Sequence, residues 1–576
     1  LEIDEDAKPG SGFAQIYELN DYLLDIENKS LTHRPDTFGI IGFAREVAAI
    51  QGKKFTTPVS LQSVEPNWIE KTGDEPTPAV TIDDPKLSDR YQAVVLTGVD
   101  AKAQSPLQTQ IYLARIGMRP ISAVVDATNY LMMLTGQPLH AFDYDKLKAV
   151  NNGEIDIHVR AARPGEKLKL LDGRVLEMSP DDIVIANGEV AVSLAGAMGG
   201  GDTEIDENTT NILLESATFN LYNLRNTQMR HGIFSEAMTR DTKGQPAYQT
   251  APVLAEAVAL LNLSAGAQRA SDVADAFPGK AELQKINVSI NKINSVLGSN
   301  FAIDIAQETL ENAGFAVDAN EDTLVVTAPY WRPDIRISED IIEEVGRLNG
   351  YDTIPPTLPL RDFTAVSPVE FDQLRAKIRQ ILARAGANEV LTYSFVHGDL
   401  LQKSGQKTAD SYRITNSLSP DLQYYRQTLT PSLLSIVHPN IKAGFDSFAL
   451  FECNKAHAKR VALNDEEVPN ETDYVALTLA AKKSQGAPYY GAKKLLDYVA
   501  SSLNLQFVYT AINQEPGYPE SAPFEYRRSA MVSDRLSGEY IGIIGEYKNS
   551  VKKAFKLPEY AAGFEIDPRA VLRATT

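Results

Sequence analysis

The chain has 576 residues, of which 43% are hydrophobic and 23% charged, and a net charge of −20. That length exceeds one core, the composition is that of ordinary globular protein, and a prior of about 150 residues per domain suggests roughly four domains. No stretch approaches the ~18 apolar residues of a membrane span, no apolar opening reads as a signal peptide, and the lone Cys453 excludes an internal disulfide or a Cys-rich zinc site. The acidic balance argues against a broad basic surface for nucleic acid, so an RNA partner must be met by local basic faces or through a second chain.

In chain order, Ile41, Ala44, Val47, Ala48 and Ile50 set an apolar stripe at helical spacing, with Gly52 as a stop signal. The stretch from about 58 to 86 is rich in Pro and acid and reads as a linker. From about 87 to 275, short strands such as YQAVVLTGV, IDIHVRAA and NILLESATF alternate with turn signals, and the helical run TAPVLAEAVALLNL closes the region. Residues 281 to 356 predict a small unit whose last helix begins near Ser338 and ends at Gly350. A further α+β region opens with FDQLRAKIRQILARAGA and carries the strands FALFEC, DYVALTLAA and YIGIIGEY. The fold class is α+β and multidomain, with no internal repeat. The opening at Leu1, inside what reads as an ordered segment, is expected of a trimmed or processed product.

Four features bear chemistry. His140 lies in the turn-rich GQPLHAFD, and a lone His is more often a satisfied structural residue than a functional one. Glu215 sits inside the apolar strand NILLESATF, and a buried carboxyl must be paired or hydrogen-bonded. The segment AGAMGGG, 195 to 201, suits close approach of backbone to a ligand or a plain hairpin, and without a following Lys-Ser/Thr it is not a phosphate loop. Further on, Asp334, Asp340, Glu343 and Glu344 crowd eleven residues, the last three on one helical face. Such repulsion is offset by a hard cation, by a partner's basic side chains, or by solvent alone.

Four segments in order resemble the β subunit of bacterial phenylalanine–tRNA ligases: LTHRPDTFGIIGFAREVAAIQG (31–52), MRPISAVVDATNYLMMLTGQPLHAFDYDKL (118–147), WRPDIRISEDIIEEVGRLNGYDTIP (331–355), and a C-terminal module with NSLSPDLQYYRQTLTPSLL, ALFEC, YYGAKKLLDYV, RRSA and IGIIGEY. His33 stands where the family has Asn. The resemblance implies an N-terminal remnant and linker (1–70), a β-rich editing domain (76–275), a small helical, winged-helix-like domain (281–356) and a class II synthetase-like antiparallel-sheet domain without catalytic motifs (360–576). The family's N-terminal oligonucleotide-binding module and C-terminal anticodon-binding domain have no counterpart in the 576 residues.

By the same resemblance the chain is an aminoacyl-tRNA ligase subunit that attaches phenylalanine to tRNA(Phe) only with an α subunit, in an α2β2 heterotetramer. ATP and phenylalanine would bind on the α subunit, the setting would be cytoplasmic, and no membrane would be involved. Residue by residue, the editing pocket for mischarged Tyr-tRNA(Phe) falls on Asn129, His140, Gly199, Glu215, Ser235 and Ala237. Glu215 would accept from the tyrosine hydroxyl, while His140 and Asn129 would hold the ester or its attacking water. Asp334, Asp340, Glu343 and Glu344 would form a Mg²⁺ site shared with the α subunit. Ser235 replaces the family's Thr, and EAMTRDTKG drifts from its Ser-His-Arg-Phe-Glu pattern. Two other readings are a free-standing deacylase, which would have no need of so large a docking domain, and an RNA-binding scaffold, which the acidic charge opposes.

Overall fold

A computed structural model describes residues 8–17, 19–280, 283–483 and 486–575. Residues 1–7, and position 281 where the sequence starts its third segment, lie outside them. The chain divides into two compact units, Leu1–Pro359 and Leu360–Thr576, so the three segments read before residue 356 share one unit. Among the described residues no helix is long and apolar enough to cross a membrane.

The first unit runs α1 (Ile40–Ile50), β1 (Ala79–Ile82), β2 (Arg90–Thr97), α2 (Ala123–Thr135), β3 (Leu139–Asp143), β4 (Asp156–Ala161), β5 (Ile183–Asn187), β6 (Val190–Leu194), β7 (Met198–Gly199), β8 (Asn211–Thr218), α3 (Glu236–Asp241), α4 (Thr250–Ala265), β9 (Gln268–Arg269) and β10 (Ala274–Ala276). Two five-stranded sheets result. One has the order β1-β4-β5-β6-β7; the other has β9-β2-β8-β3, with β10 also on β2.

Strand β8 explains the architecture. Because successive side chains alternate, Leu213 and Ala217 join the core shared with Ile157, Val159 and Ile185 of the other sheet, and Ile212 and Leu214 join the core under α2 and α4. A strand buried on both faces reads as a near-continuous apolar run, and Glu215 is the acid in that run facing the other sheet.

Three local expectations are corrected. The linker holds a strand: β1 pairs in parallel with β4, Val80 against Ile157, and Trp68 and Ile69 pack on the core. Four residues between Pro78 and Asp83 are too few to show a period. The helix at 40–50 forms, but its apolar stripe is not its buried face, since Val47 and Ile50 are half exposed and Arg45 and Glu46 are buried. Arg45 lies 3.8 Å over the Trp331 ring. Finally, the strand-and-turn region also contains α2, whose β-branched and aromatic residues mask a helical pattern of buried Ala123, Val124, Ala127 and Leu131.

The unit closes with β11 (Lys285–Ser289), α5 (Ile290–Leu297), α6 (Ile303–Asn312), β12 (Ala316–Asn320), β13 (Thr323–Thr327) and α7 (Ser338–Asn349). The three strands form an antiparallel sheet, β11-β13-β12, and the helices share its core through Ile293, Leu310 and Ile341.

The second unit is built on a seven-stranded sheet. Its members are β14 (Asn388–Glu389), β15 (Ser447–Ala456), β16 (Thr472–Ala481), β17 (Phe507–Ala511), β18 (Phe524–Asp534), β19 (Tyr540–Tyr547) and β20 (Tyr560–Ile566), in the order β14-β15-β16-β20-β19-β18-β17. Only the short edge pair β14–β15 is parallel. Helix α8 (Glu370–Arg384) and helix α10 (Pro488–Ser502) pack on it, while α9 (Thr430–Lys442) starts on the carboxylate of Glu565, which accepts from the Leu429 and Thr430 amides. The acid of ALFEC is committed inside the fold: Glu452 pairs with buried Arg426 and accepts from Thr392.

Candidate active site

In the β8–β3 ladder Glu215 stands directly opposite His140, so both side chains leave the sheet on one face. On the neighbouring strand β2, Tyr91 reaches the same place, its hydroxyl donating to Glu215 Oε2 at 2.9 Å. Helix α2 brings Asn129. The β6–β7 hairpin, which is what AGAMGGG forms, brings Gly199, and the start of α3 brings Ser235 and Ala237. All six sequence-assigned residues line one cavity of 370 Å³.

The glycines have a steric reason. A Cβ on Gly199 would lie 2.6 Å from His140 Cε1 and 2.7 Å from Nε2, so the imidazole packs on bare backbone. The imidazole also meets the Phe142 ring edge-on at 4.4 Å between centroids. At Gly196 φ is +63°, a conformation that favours glycine.

Burial sets the charges. It lifts the Glu215 carboxyl to about 8, with the Tyr91 hydroxyl pulling the other way, and lowers the His140 imidazole to about 4. Near neutral pH Glu215 therefore mostly keeps its proton and offers a donor as well as an acceptor, rather than the acceptor alone expected from sequence. His140 stays neutral, with one donor and one acceptor nitrogen.

The lining hydroxyls are occupied. Ser235 Oγ caps α3 by accepting from the Met238 amide and donates to the Ala197 carbonyl; Thr128 donates to the Val125 carbonyl at 2.8 Å, and Ser193 to that of Met198 at 3.4 Å. The cap needs only a hydroxyl, so Ser serves where the family has Thr. Apart from Glu236, which pairs with Arg240, the cavity presents a neutral imidazole, the carboxyls of Glu215 and Asp241 and an amide, a set that orients water rather than one that forms a covalent intermediate.

Two lining or bracing residues were missed from sequence. Tyr91 looks like an ordinary strand aromatic. Asp241, at the end of α3, lines the cavity with 3% of its surface exposed, and burial followed by the charge of Glu215 raises its pKa strongly. Aligning Arg240 with the Arg of the Ser-His-Arg-Phe-Glu pattern puts Asp241 at the Phe, so the drift in that segment is the sequence signal.

A second cavity, of 660 Å³, adjoins the first and shares Thr128, Asn129, Leu139, His140 and Leu171 with it. His140 and Asn129 thus stand in the partition between the two spaces.

The four acids near residue 340 line another cavity, of 460 Å³, with Lys29, His33 and Arg332. They are unequal. Arg332 binds both Asp334 (2.7 Å) and Glu344 (2.8 Å), and Glu344 also accepts from Arg347 at 2.9 Å. Burial opposes ionisation of Glu344, but the Arg332 charge and hydrogen bonds, with Arg347 and Arg34, hold its carboxyl at about 2. Asp340 caps α7 through the Arg336 and Ile337 amides, and Glu343 is exposed. His33, the departure from Asn, comes to 3.9 Å from Asp334. As placed, no three His, Cys, Asp or Glu among the described residues converge as a metal would need.

Three protein-family models match the chain: the B3/4 domain at 87–266, the tRNA synthetase B5 domain at 286–351, and the phenylalanyl tRNA synthetase beta chain CLM domain at 354–568. Among curated relatives, the phenylalanine–tRNA ligase beta subunit of Anaeromyxobacter dehalogenans is 34% identical over 98% of this chain and 70% of its own length. Those of Carboxydothermus hydrogenoformans and Bacillus subtilis are 31% and 32% identical, over 98% and 99% of this chain and 69% of their own lengths.

Proposed function

The chain belongs to the phenylalanine–tRNA ligase β-subunit family, and from that premise we propose that its first unit hydrolyses tyrosine from mischarged tRNA(Phe). One observation carries the reading: residues from four separate stretches of sequence meet in one cavity, and a second cavity opens across the His140–Asn129 partition. An aminoacyl ester has that two-part form. The amino-acid side chain enters the 370 Å³ space toward Glu215, the terminal nucleoside takes the 660 Å³ space, and the ester bond lies at the partition. Neutral His140 accepts a hydrogen bond from the attacking water, and Asn129 holds the ester.

Selectivity follows from burial. An apolar pocket alone rejects an added hydroxyl weakly, whereas a buried polar group left unpaired by the wrong ligand discriminates strongly. Glu215 is 5% exposed, and one of its oxygens already takes the Tyr91 hydroxyl. Tyrosine satisfies the other oxygen; phenylalanine leaves it dry and unpaired.

For synthesis, the chain pairs with an α subunit, as α2β2, that carries ATP and phenylalanine. The second unit, its ALFEC glutamate locked to Arg426, serves as a docking and supporting domain. At the acidic cavity four carboxyls offer the oxygen donors a hard cation requires, beside the nitrogen side chains of Lys29, His33 and Arg332. Since no three of these acids converge as placed, Mg²⁺ would have to draw Asp340 and exposed Glu343 together first, with Asp334 and Glu344 contributing lone pairs that Arg332 leaves open. The ion would neutralise the cluster at a surface shared with the α subunit.

Co-expression with an α subunit tests the whole reading. The expected result is a heterotetramer that phenylalanylates tRNA(Phe) only with both chains and clears Tyr-tRNA(Phe) faster than Phe-tRNA(Phe). A chain that stays monomeric beside the α subunit removes the ligase role, and equal hydrolysis of the two esters removes the editing role.

A further inference from the structure

Asp241 is unusual even within this pocket. Its side chain is almost wholly buried, and its Oδ1 has no hydrogen-bond partner among the described residues. Leaving a polar atom so costs about as much as a hydrogen bond contributes, and such atoms are rare in folded proteins. The surroundings make room for the acid: a Cβ on Gly196 would lie 2.9 Å from Asp241 Oδ2 and 3.0 Å from Leu224 Cδ1. Asp241 lies where the charge of Glu215 is felt, in the same cavity and on a different element. Of the three carboxyls that line the cavity, Glu236 pairs with Arg240 and Glu215 is braced by Tyr91, which leaves Asp241 as the one with an unpaired buried oxygen.

A phenolic hydroxyl is one donor with two acceptor lone pairs. A single carboxyl oxygen can use only one of those capacities. We propose that Asp241 is a second specificity-determining residue of the pocket, its unpaired carboxyl turning to meet the same side-chain hydroxyl that meets Glu215. A tyrosyl ester then completes both carboxyls, and a phenylalanyl ester completes neither. This rests on the hydrolytic reading above and assigns part of its selectivity to a residue outside the six that the family resemblance picks out.

The test uses the chain in complex with its α subunit and compares hydrolysis of Tyr-tRNA(Phe) and Phe-tRNA(Phe). Asp241→Leu is expected to lower the Tyr-to-Phe ratio of kcat/KM about tenfold, the scale of one hydrogen bond, through the tyrosyl substrate alone. Its melting temperature should be no lower than the parent's, because an unpaired buried acid has been removed. Asp241→Asn nearly keeps the shape and all the hydrogen-bonding capacity, so it should hold the ratio within about threefold and guards against misfolding of the leucine variant. If the parent prefers the tyrosyl ester and neither variant changes that preference, Asp241 has no such role and the proposed function stands. A parent that hydrolyses both esters alike, or neither, overturns the hydrolytic reading and this inference with it. Equal losses on both substrates in Asp241→Leu and Asp241→Asn would mark Asp241 as structural and also overturn the inference.

Discussion

Gly199→Ala is the sharpest single probe of the pocket. The new methyl would start 2.6 Å from His140 Cε1 and 3.3 Å from Leu171 Cδ1. Carbon contacts settle near 3.5 Å, so the imidazole must retreat by about 0.9 Å. Phe142, packed edge-on against the imidazole at 4.4 Å, limits the room for that shift. The backbone itself accepts alanine, since Gly199 is not among the positive-φ residues, and alanine stiffens the unfolded chain by about 0.4–1 kcal/mol in favour of folding. Set against an overpacking cost of about 1–3 kcal/mol, the net loss is about 1–2 kcal/mol, read from urea unfolding. The functional loss should be larger: displacing a group that holds the attacking water by nearly 1 Å costs on the order of 100-fold in deacylation of Tyr-tRNA(Phe). Adding His140→Ala removes the clash, so the stability cost of the second methyl should vanish in that background, a coupling of about 1–2 kcal/mol. Undiminished deacylation by Gly199→Ala would refute the placement of His140 at the ester, and additive stability losses would refute the packing argument.

Other outcomes follow from the buried charges. Glu215 has its carboxyl raised to about 8, so it favours folding most at pH below its ordinary value and that contribution is lost as pH rises through 8; in urea titrations Glu215→Gln should flatten the decline between pH 5 and 8. Glu344 runs the other way: held at about 2 against an ordinary 4.5, it contributes about 3 kcal/mol above pH 4.5 that disappears as pH falls to 2, and Glu344→Gln should remove that acid-side slope. Arg332→Met leaves Asp334 and much of Glu344 unpaired in the interior and should cost about 3–5 kcal/mol by the same assay. Glu565→Ala strands the Leu429 and Thr430 amides and should cost about 2–4 kcal/mol, seen as loss of the amide protection at the start of α9 in hydrogen exchange. Calorimetric titration of the complex with Mg²⁺ should give a binding signal that Asp340→Asn with Glu343→Gln abolishes.

How far the sequence could be read depended on what each residue answers to. Helices with a clean period and strands bounded by turn pairs, such as α4, α8 and β19, were legible because their own side chains decide them. Helix α2 was hidden, since its buried positions carry Ala and Val that fit either period. The buried face of α1 could not be seen at all: Arg45 and Glu46 are inside because Trp331 and Arg347 come to meet them from about 300 residues away, with Arg34 joining from just upstream. Of the pocket, residue types at His140 and Glu215 hinted at chemistry, but only family resemblance joined them to Asn129, Ser235 and Ala237. Asp241 escaped both routes, because it departs from the family pattern and an isolated Asp in TRDTKG resembles any surface acid.

The buried ions near α1 and α7 form a single file: Asp36, Arg34, Glu46, Arg347, Glu344, Arg332, Asp334, each bonded to the next. Four acids alternate with three guanidiniums, and every guanidinium is shared. Such a file admits one order only, for any slip sets like charge against like. Its history is therefore constrained: changing an interior member alone takes a partner from each of two neighbours, so in related chains replacements here should arrive in compensating pairs, linking positions that the sequence separates by some three hundred residues.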